Sequence, residues 1–122
     1  MNETDIQKLL QEANDNVPRL SFEEANNLIA KANTLIIDVR ETSEVEVTGL
    51  IKNAVSIPKS IIDANFDHSL VKDHLNNNED VTILVYCAVG VRSAFVGNLL
   101  LNQGYKNVFN LGGYAEWVEN NK

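Results

Sequence analysis

Apolar positions along the chain switch repeatedly between helical spacing and short continuous runs, and the switches outline the elements. Ile6, Leu9, Leu10 and Ala13 recur on one face of a polar stretch, so residues 2–16 read as an amphipathic helix. Val17-Pro-Arg-Leu20 is an edge strand at most, because Pro18 cannot donate to a ladder. Ser21 with Glu24 three residues on forms a capping box, ahead of a helix whose buried face is Ala25, Leu28, Ile29 and Ala32. Leu35–Val39 is an apolar strand carrying Asp38 near its end, with Arg40 behind it. Glu41–Thr48 is polar, a short helix or turn before Gly49, and Ala54–Ile57 is a brief strand closed by Pro58. Between Lys59 and Asn78 the pattern is mixed; Leu70, Val71 and Leu75 mark one helix, ended by three consecutive asparagines.

The clearest signal is Val81–Tyr86, a run of β-branched and apolar residues that fits a strand buried on both faces. From Ser93 to Gln103 the spacing is helical again, through Ala94, Phe95, Val96, Leu99 and Leu100, with Gly104 as a stop. Asn107–Asn110 is predicted as a last short strand, Gly112-Gly113 as a turn and Tyr114–Glu119 as a terminal helix. Strands alternating with helices predict an α/β fold: a central parallel sheet of about five strands flanked by helices.

Composition narrows the class. A chain of 122 residues with 44% hydrophobic and 22% charged residues is one globular domain. A net charge of −7 and a pI near 4.7 argue against a nucleic acid or an anionic membrane as the main partner. No apolar run is long enough to span a bilayer, and the N-terminus lacks the basic start and apolar segment of a secretory signal. A single cysteine excludes an internal disulfide and any Cys-x-x-Cys site, and a cytoplasmic setting is expected.

That cysteine, Cys87, stands at the carboxyl end of the central strand, where open α/β sheets place their sites. The loop that follows, Ala88, Val89, Gly90, Val91, Arg92 and Ser93, leads directly into a helix. Backbone N–H groups of such a turn and the positive end of the helix dipole favour an anion, so a thiolate there is stabilised. Buried structural cysteines are common in cores, but this placement marks Cys87 as a candidate nucleophile. Arg92 at the helix start opposes the dipole, so it needs either a compensating carboxylate or a bound anion.

The Cys-x-x-Gly-x-Arg-Ser pattern after an apolar strand resembles the active-site loop of the rhodanese (sulfurtransferase) family. Leu35-Ile-Ile-Asp-Val-Arg40, followed by Glu44, Gly49, Ile51, Ala54, Ile57 and Pro58, resembles its first signature. Gly104-Tyr105, Val108, Leu111-Gly112-Gly113 and Trp117 resemble its C-terminal end. The resemblance implies a single α/β domain over residues 17–122, with residues 1–16 as an N-terminal helical extension. It also implies transfer of sulfane sulfur, from thiosulfate or a persulfide, through a Cys87 persulfide ringed by the N–H groups of Ala88–Ser93. No metal or organic cofactor is expected. The expected partners are a small sulfur donor and a thiol acceptor, either low-molecular-weight or protein, with cyanide as the assay acceptor. The chain departs from the family pattern at Leu50 and Asn53, where most members carry His and Gly; Asn tolerates positive φ, so the turn is expected to persist.

By the same resemblance Asp38, Arg40 and Glu44 are expected to form a supporting charge network at the base of the loop. Tyr114 and Trp117 are expected to pack near the Gly112-Gly113 turn, Lys59 to add positive potential near the pocket, and His68 and His74 carry no assignment. Two rival functions remain: a Cys-loop phosphatase or arsenate reductase, and a non-catalytic rhodanese-like module that binds a protein. Loops of the Cys-x5-Arg kind cradle a tetrahedral oxyanion, whereas only four residues separate Cys87 from Arg92 here.

Overall fold

The computed structural model of the chain describes residues 3–31, 33–65, 71–72, 75 and 80–120. In chain order the elements are α1 (Glu3–Asn16), α2 (Phe22–Lys31), β1 (Thr34–Asp38), α3 (Thr42–Thr48), β2 (Val55–Ser56), α4 (Lys59–Asn65), β3 (Thr82–Cys87), α5 (Val91–Asn102), β4 (Val108–Gly113) and α6 (Tyr114–Asn120). Among the described residues four strands form one parallel sheet in the order β2-β1-β3-β4. The fifth expected strand is only a bridge: Arg19 pairs with Asn110, flanked by Leu20 N–H to Asn110 carbonyl and Asn110 N–H to Pro18 carbonyl bonds. Pro18 limits this segment, as a residue without an N–H must.

β3 is buried at every position, and its side chains alternate between two cores. Ile83, Val85 and Cys87 point to one face, where Ile62 of α4, Val96 and Leu100 of α5, and Val17 close over them. Leu84 and Tyr86 point to the other, against Ala25 of α2, Ile51, Leu111 and Trp117 of α6. The strand therefore delivers Cys87 to the face that α5 covers. α1 docks on α5, with Ala13 buried and Asn16 donating to Asn98 Oδ1 at 3.0 Å; Val17, just after the helix, packs on Gly97, while Ile6 and Leu9 stay exposed.

Local signals are realised closely. Ser21 Oγ accepts from Glu24 N–H at 3.1 Å and Glu24 returns the bond to Ser21 N–H at 3.0 Å. Phe22 packs on Trp117 with ring centroids 5.0 Å apart. Two expectations are corrected. α4 replaces the undefined stretch after Lys59; the helix expected around Leu70 lies partly outside the described residues, of which Val71, Lys72 and Leu75 are helical. β4 does not stop at Asn110 but runs through Gly113. Its register shifts because Val85 pairs with Asn110 and Tyr86 with Gly112, leaving Leu111 as a bulge. His68 and His74 lie outside the described residues. No helix among the described residues is long and apolar enough to cross a membrane.

Asn53 is the only non-glycine residue with positive φ among the described residues, at 68°. Asn pays little there, whereas a Cβ without a local hydrogen-bonding side chain pays more. Asn53→Ala should destabilise the protein by about 1 kcal/mol in urea unfolding, and Asn53→Gly should stay near the parent value. Equal stability of all three would show that the turn carries no strain.

Candidate active site

Cys87 closes β3 and Gly90 opens α5, so the chain reverses from strand to helix within two residues. Gly90 has φ 95°, the left-handed region that turns its N–H back toward the sulfur. That N–H donates to Cys87 Sγ at 3.0 Å, and Ser93 Oγ lies 3.4 Å from the same sulfur. The residue is fully buried and its thiol is free. Burial is the largest single influence on the thiol and pushes its pKa up. The Ser93 hydroxyl and the backbone N–H groups of Ser93, Val89 and Gly90 together outweigh burial, and the pKa is lowered from the ordinary value. At the end of β4, Gly113 abuts the loop so closely that a Cβ would sit 2.4 Å from the Ala88 carbonyl oxygen.

Asp38 and Arg40 meet, as expected, but not at the sulfur. The Arg40 guanidinium donates from Nε and Nη2 to Asp38 Oδ2 at 3.0 and 2.7 Å, and the Arg40 backbone N–H donates to Asp38 Oδ1 at 2.8 Å. Its remaining nitrogen reaches Thr48 Oγ1 at 2.8 Å, and Nη2 also reaches the Gly49 carbonyl at 3.0 Å. The guanidinium carbon lies 4.4 Å from the centre of the Tyr114 ring. Tyr86, on the same face of β3, accepts the Ile51 N–H at 3.1 Å. Burial raises its phenol well above the usual range, and the neighbouring Asp38 carboxylate adds to this. These groups tie β1, α3 and the turn after it together beneath the site.

Glu44 shares its charge with that pair, lying close enough to Arg40 for the two to stabilise each other, but its hydrogen bonds go elsewhere. It reaches across to the first turn of α5, where Arg92 grips it with two bonds of 2.6 and 2.9 Å. Those bonds hold the Glu44 carboxyl down at about 2, and the same carboxylate raises Arg92 further above its already high range. The compensating carboxylate that a cation at a helix start requires is therefore present. Lys59 pairs with Asp63 one turn on, so its charge is matched locally.

The residues from Ser21 to Asn120 match a family model described as the rhodanese-like domain. The chain belongs to the rhodanese-like family. A tRNA uridine(34) hydroxylase of Photorhabdus laumondii is 31% identical over 100 residues, which cover 81% of this chain and 28% of that protein. The chain thus spans less than a third of the length of the curated relatives it matches. A human single-domain sulfurtransferase superimposes with a TM-score of 0.67 at 26% identity, covering 84% of this chain and 96% of that one. A Rhodopseudomonas palustris protein described as a "Possible Tyrosine Phosphatase" superimposes with a TM-score of 0.79 at 27% identity, covering 95% and 90%.

Two side chains at this rhodanese-like site escape the sequence reading. Asn110, on β4, is buried and bonds both to Ser93 and to the Gly90 carbonyl. Arg19 lies against the loop, its Nη1 2.9 Å from where a Gly90 Cβ would stand, and pairs with Glu116 at 2.6 Å. A polar residue between Phe109 and Leu111 in an apolar strand is the signal that marks Asn110; nothing local marks Arg19.

The Glu44 carboxyl is depressed in the native state, so its contribution to stability is complete above its ordinary pKa of 4.5 and is lost as pH falls toward 2. Urea unfolding between pH 5 and pH 2 should show that loss in the parent protein, about 1 kcal/mol or less for a part-exposed pair. Glu44→Gln should lack this component and be the less stable protein at neutral pH. An identical pH dependence in the two proteins would mean the pair adds nothing.

Proposed function

We propose that the protein moves sulfane sulfur by double displacement on Cys87. The observation that carries this reading is the buried, lone thiol held by the Gly90 N–H at 3.0 Å at the head of α5. An anionic sulfur removed from water needs donors in its place, and the loop supplies them at fixed positions. The Cys87 thiolate attacks the outer sulfur of thiosulfate; the new S–S bond forms as the old one breaks, and sulfite leaves with the electron pair. The resulting Cys87 persulfide keeps one negative charge among the N–H groups of Ala88–Ser93. A thiolate or cyanide then attacks the terminal sulfur and restores the Cys87 thiolate. With no second cysteine in the sequence, the persulfide cannot close an internal disulfide and passes to another molecule.

Arg92 supports recognition of the anionic donor. Its charge is shared with Glu44, so it serves as a directional donor in a pair rather than as a free cation. The four residues between Cys87 and Arg92 make a narrow ring, suited to one sulfur atom. A tetrahedral phosphate needs a wider one for several N–H groups to reach its oxygens. The hydroxylase name belongs to proteins of which this chain covers less than a third, and a net charge of −7 offers an RNA strand no basic footprint. The substrate class favoured is therefore a small anionic sulfur donor with a thiol acceptor.

Intact mass after incubation with thiosulfate should rise by one sulfur atom and fall back on adding cyanide, with thiocyanate released. Cys87→Ser should show neither change, and aryl phosphates should not be hydrolysed by the parent protein. Turnover that survives in Cys87→Ser, or phosphate hydrolysis faster than sulfur transfer, overturns the reading.

A further inference from the structure

Behind Cys87 lies a buried polar cluster in which one member has no freedom to turn. Asn110 is 1% exposed, its Nδ2 donates to the Gly90 carbonyl at 2.9 Å, and its Oδ1 accepts the Gly112 N–H at 2.8 Å. Turning the amide over would set its NH2 group against an N–H and its oxygen against a carbonyl. The backbone thus fixes Oδ1 as an acceptor. The fully buried Ser93 hydroxyl lies 2.7 Å from that oxygen and has one proton to give. With that proton committed to Asn110, Ser93 Oγ can only accept from the Cys87 thiol 3.4 Å away. The bonds run in one direction, from Cys87 through Ser93 to Asn110.

We propose that Asn110 is a positioning residue for Cys87: it holds the Ser93 proton off the sulfur in the thiol form and releases it when the sulfur becomes anionic. When Cys87 loses its proton to solvent, the Ser93 hydroxyl rotates and donates to the thiolate instead. Asn110 Oδ1 keeps the Gly112 N–H, so the rotation leaves no buried acceptor without a partner. One hydroxyl therefore serves two states of the sulfur, and Asn110 sets how readily it changes over. This deepens the reading of Cys87 as the reacting group.

Charged groups at the loop and on the elements beneath it come in pairs. Arg92 on α5 is paired with Glu44 on α3, and Arg19 at the loop is paired with Glu116 on α6. Asp38 and Arg40 are paired at the end of β1, and Lys59 and Asp63 on α4. None of these side chains bonds to the side chain of Ser93 or Asn110; the Arg19 segment meets Asn110 only through backbone bonds, and Arg92 also faces Cys87.

The test is thiolate absorbance in the ultraviolet against pH for the parent protein, Ser93→Ala, Asn110→Leu and the double variant. Ser93→Ala should raise the Cys87 pKa, cutting the thiolate fraction at fixed pH about tenfold, because a bond to the charged sulfur is lost. Asn110→Leu should lower the pKa by freeing the Ser93 proton, and the double variant should match Ser93→Ala. A clamp that merely braces the loop would instead raise the pKa in Asn110→Leu with or without Ser93, and that result overturns the proposal. A second measurement needs no change at Asn110. The lone cysteine gives a single S–H stretching band in the infrared, which should move to higher frequency in Ser93→Ala as the thiol loses its acceptor. An unmoved band shows that Ser93 does not accept from sulfur and also overturns the proposal. Neither measurement reads sulfur transfer, so their failure leaves the double-displacement reading standing, and a failure of sulfur transfer leaves the hydroxyl switch to be judged on its own.

Discussion

Taking an ionised sulfur out of water is expensive unless fixed donors replace its hydration. The surroundings of Cys87 are arranged around that constraint. The alternation of β3 turns the side chain inward, where it is fully buried, and the left-handed turn at Gly90 brings an N–H to 3.0 Å. Ser93 adds a hydroxyl, and the head of α5 adds the positive end of its dipole. β4 holds this loop from behind through Gly113 and Asn110. A change that loosens any of these supports leaves the thiol buried with less to stabilise its charge.

Arg92 and Arg19 lie at this loop and Arg40 lies beneath it, and each is neutralised from a different element. Depth decides what each pair does. Asp38 and Arg40 are 0% and 3% exposed, and breaking such a pair from one side costs roughly 3–5 kcal/mol. That pair is scaffold. The Arg92–Glu44 and Arg19–Glu116 pairs are about one-third to two-thirds exposed and worth about 1 kcal/mol or less each. They are cheap enough to exchange for contacts with a donor anion. Positive potential at the sulfur comes from the Ser93 hydroxyl and backbone N–H groups, which keeps the loop attractive to small anions on a chain of net charge −7.

Features set by near neighbours in the chain are legible in the sequence. β3 and α5 follow from their apolar spacing, the Ser21–Glu24 box from two residues, and positive φ at Asn53 from one. Features set by distant neighbours are not. The family resemblance groups Glu44 with Asp38 and Arg40, yet its hydrogen-bonded partner, Arg92, lies 48 residues away. Arg19 finds Glu116 across 97 residues. Glycines signal turns, so the sequence predicts an end to β4 at Asn110, but a bulge at Leu111 lets the strand run on and places Asn110 against Ser93. α4 lacks a clear apolar period, and packing of Ile62 into the core supplies what periodicity does not.

The central claim is that backbone N–H groups of the loop hold a charged sulfur. Amide proton shifts of Val89, Gly90 and Ser93, followed by NMR in the thiol, thiolate and persulfide forms, test it most directly. These three amides should move downfield together as the sulfur becomes anionic, move further or stay there in the persulfide, and remain unmoved in Cys87→Ser over the same pH range. Amides that stay still while Cys87 ionises would contradict the claim.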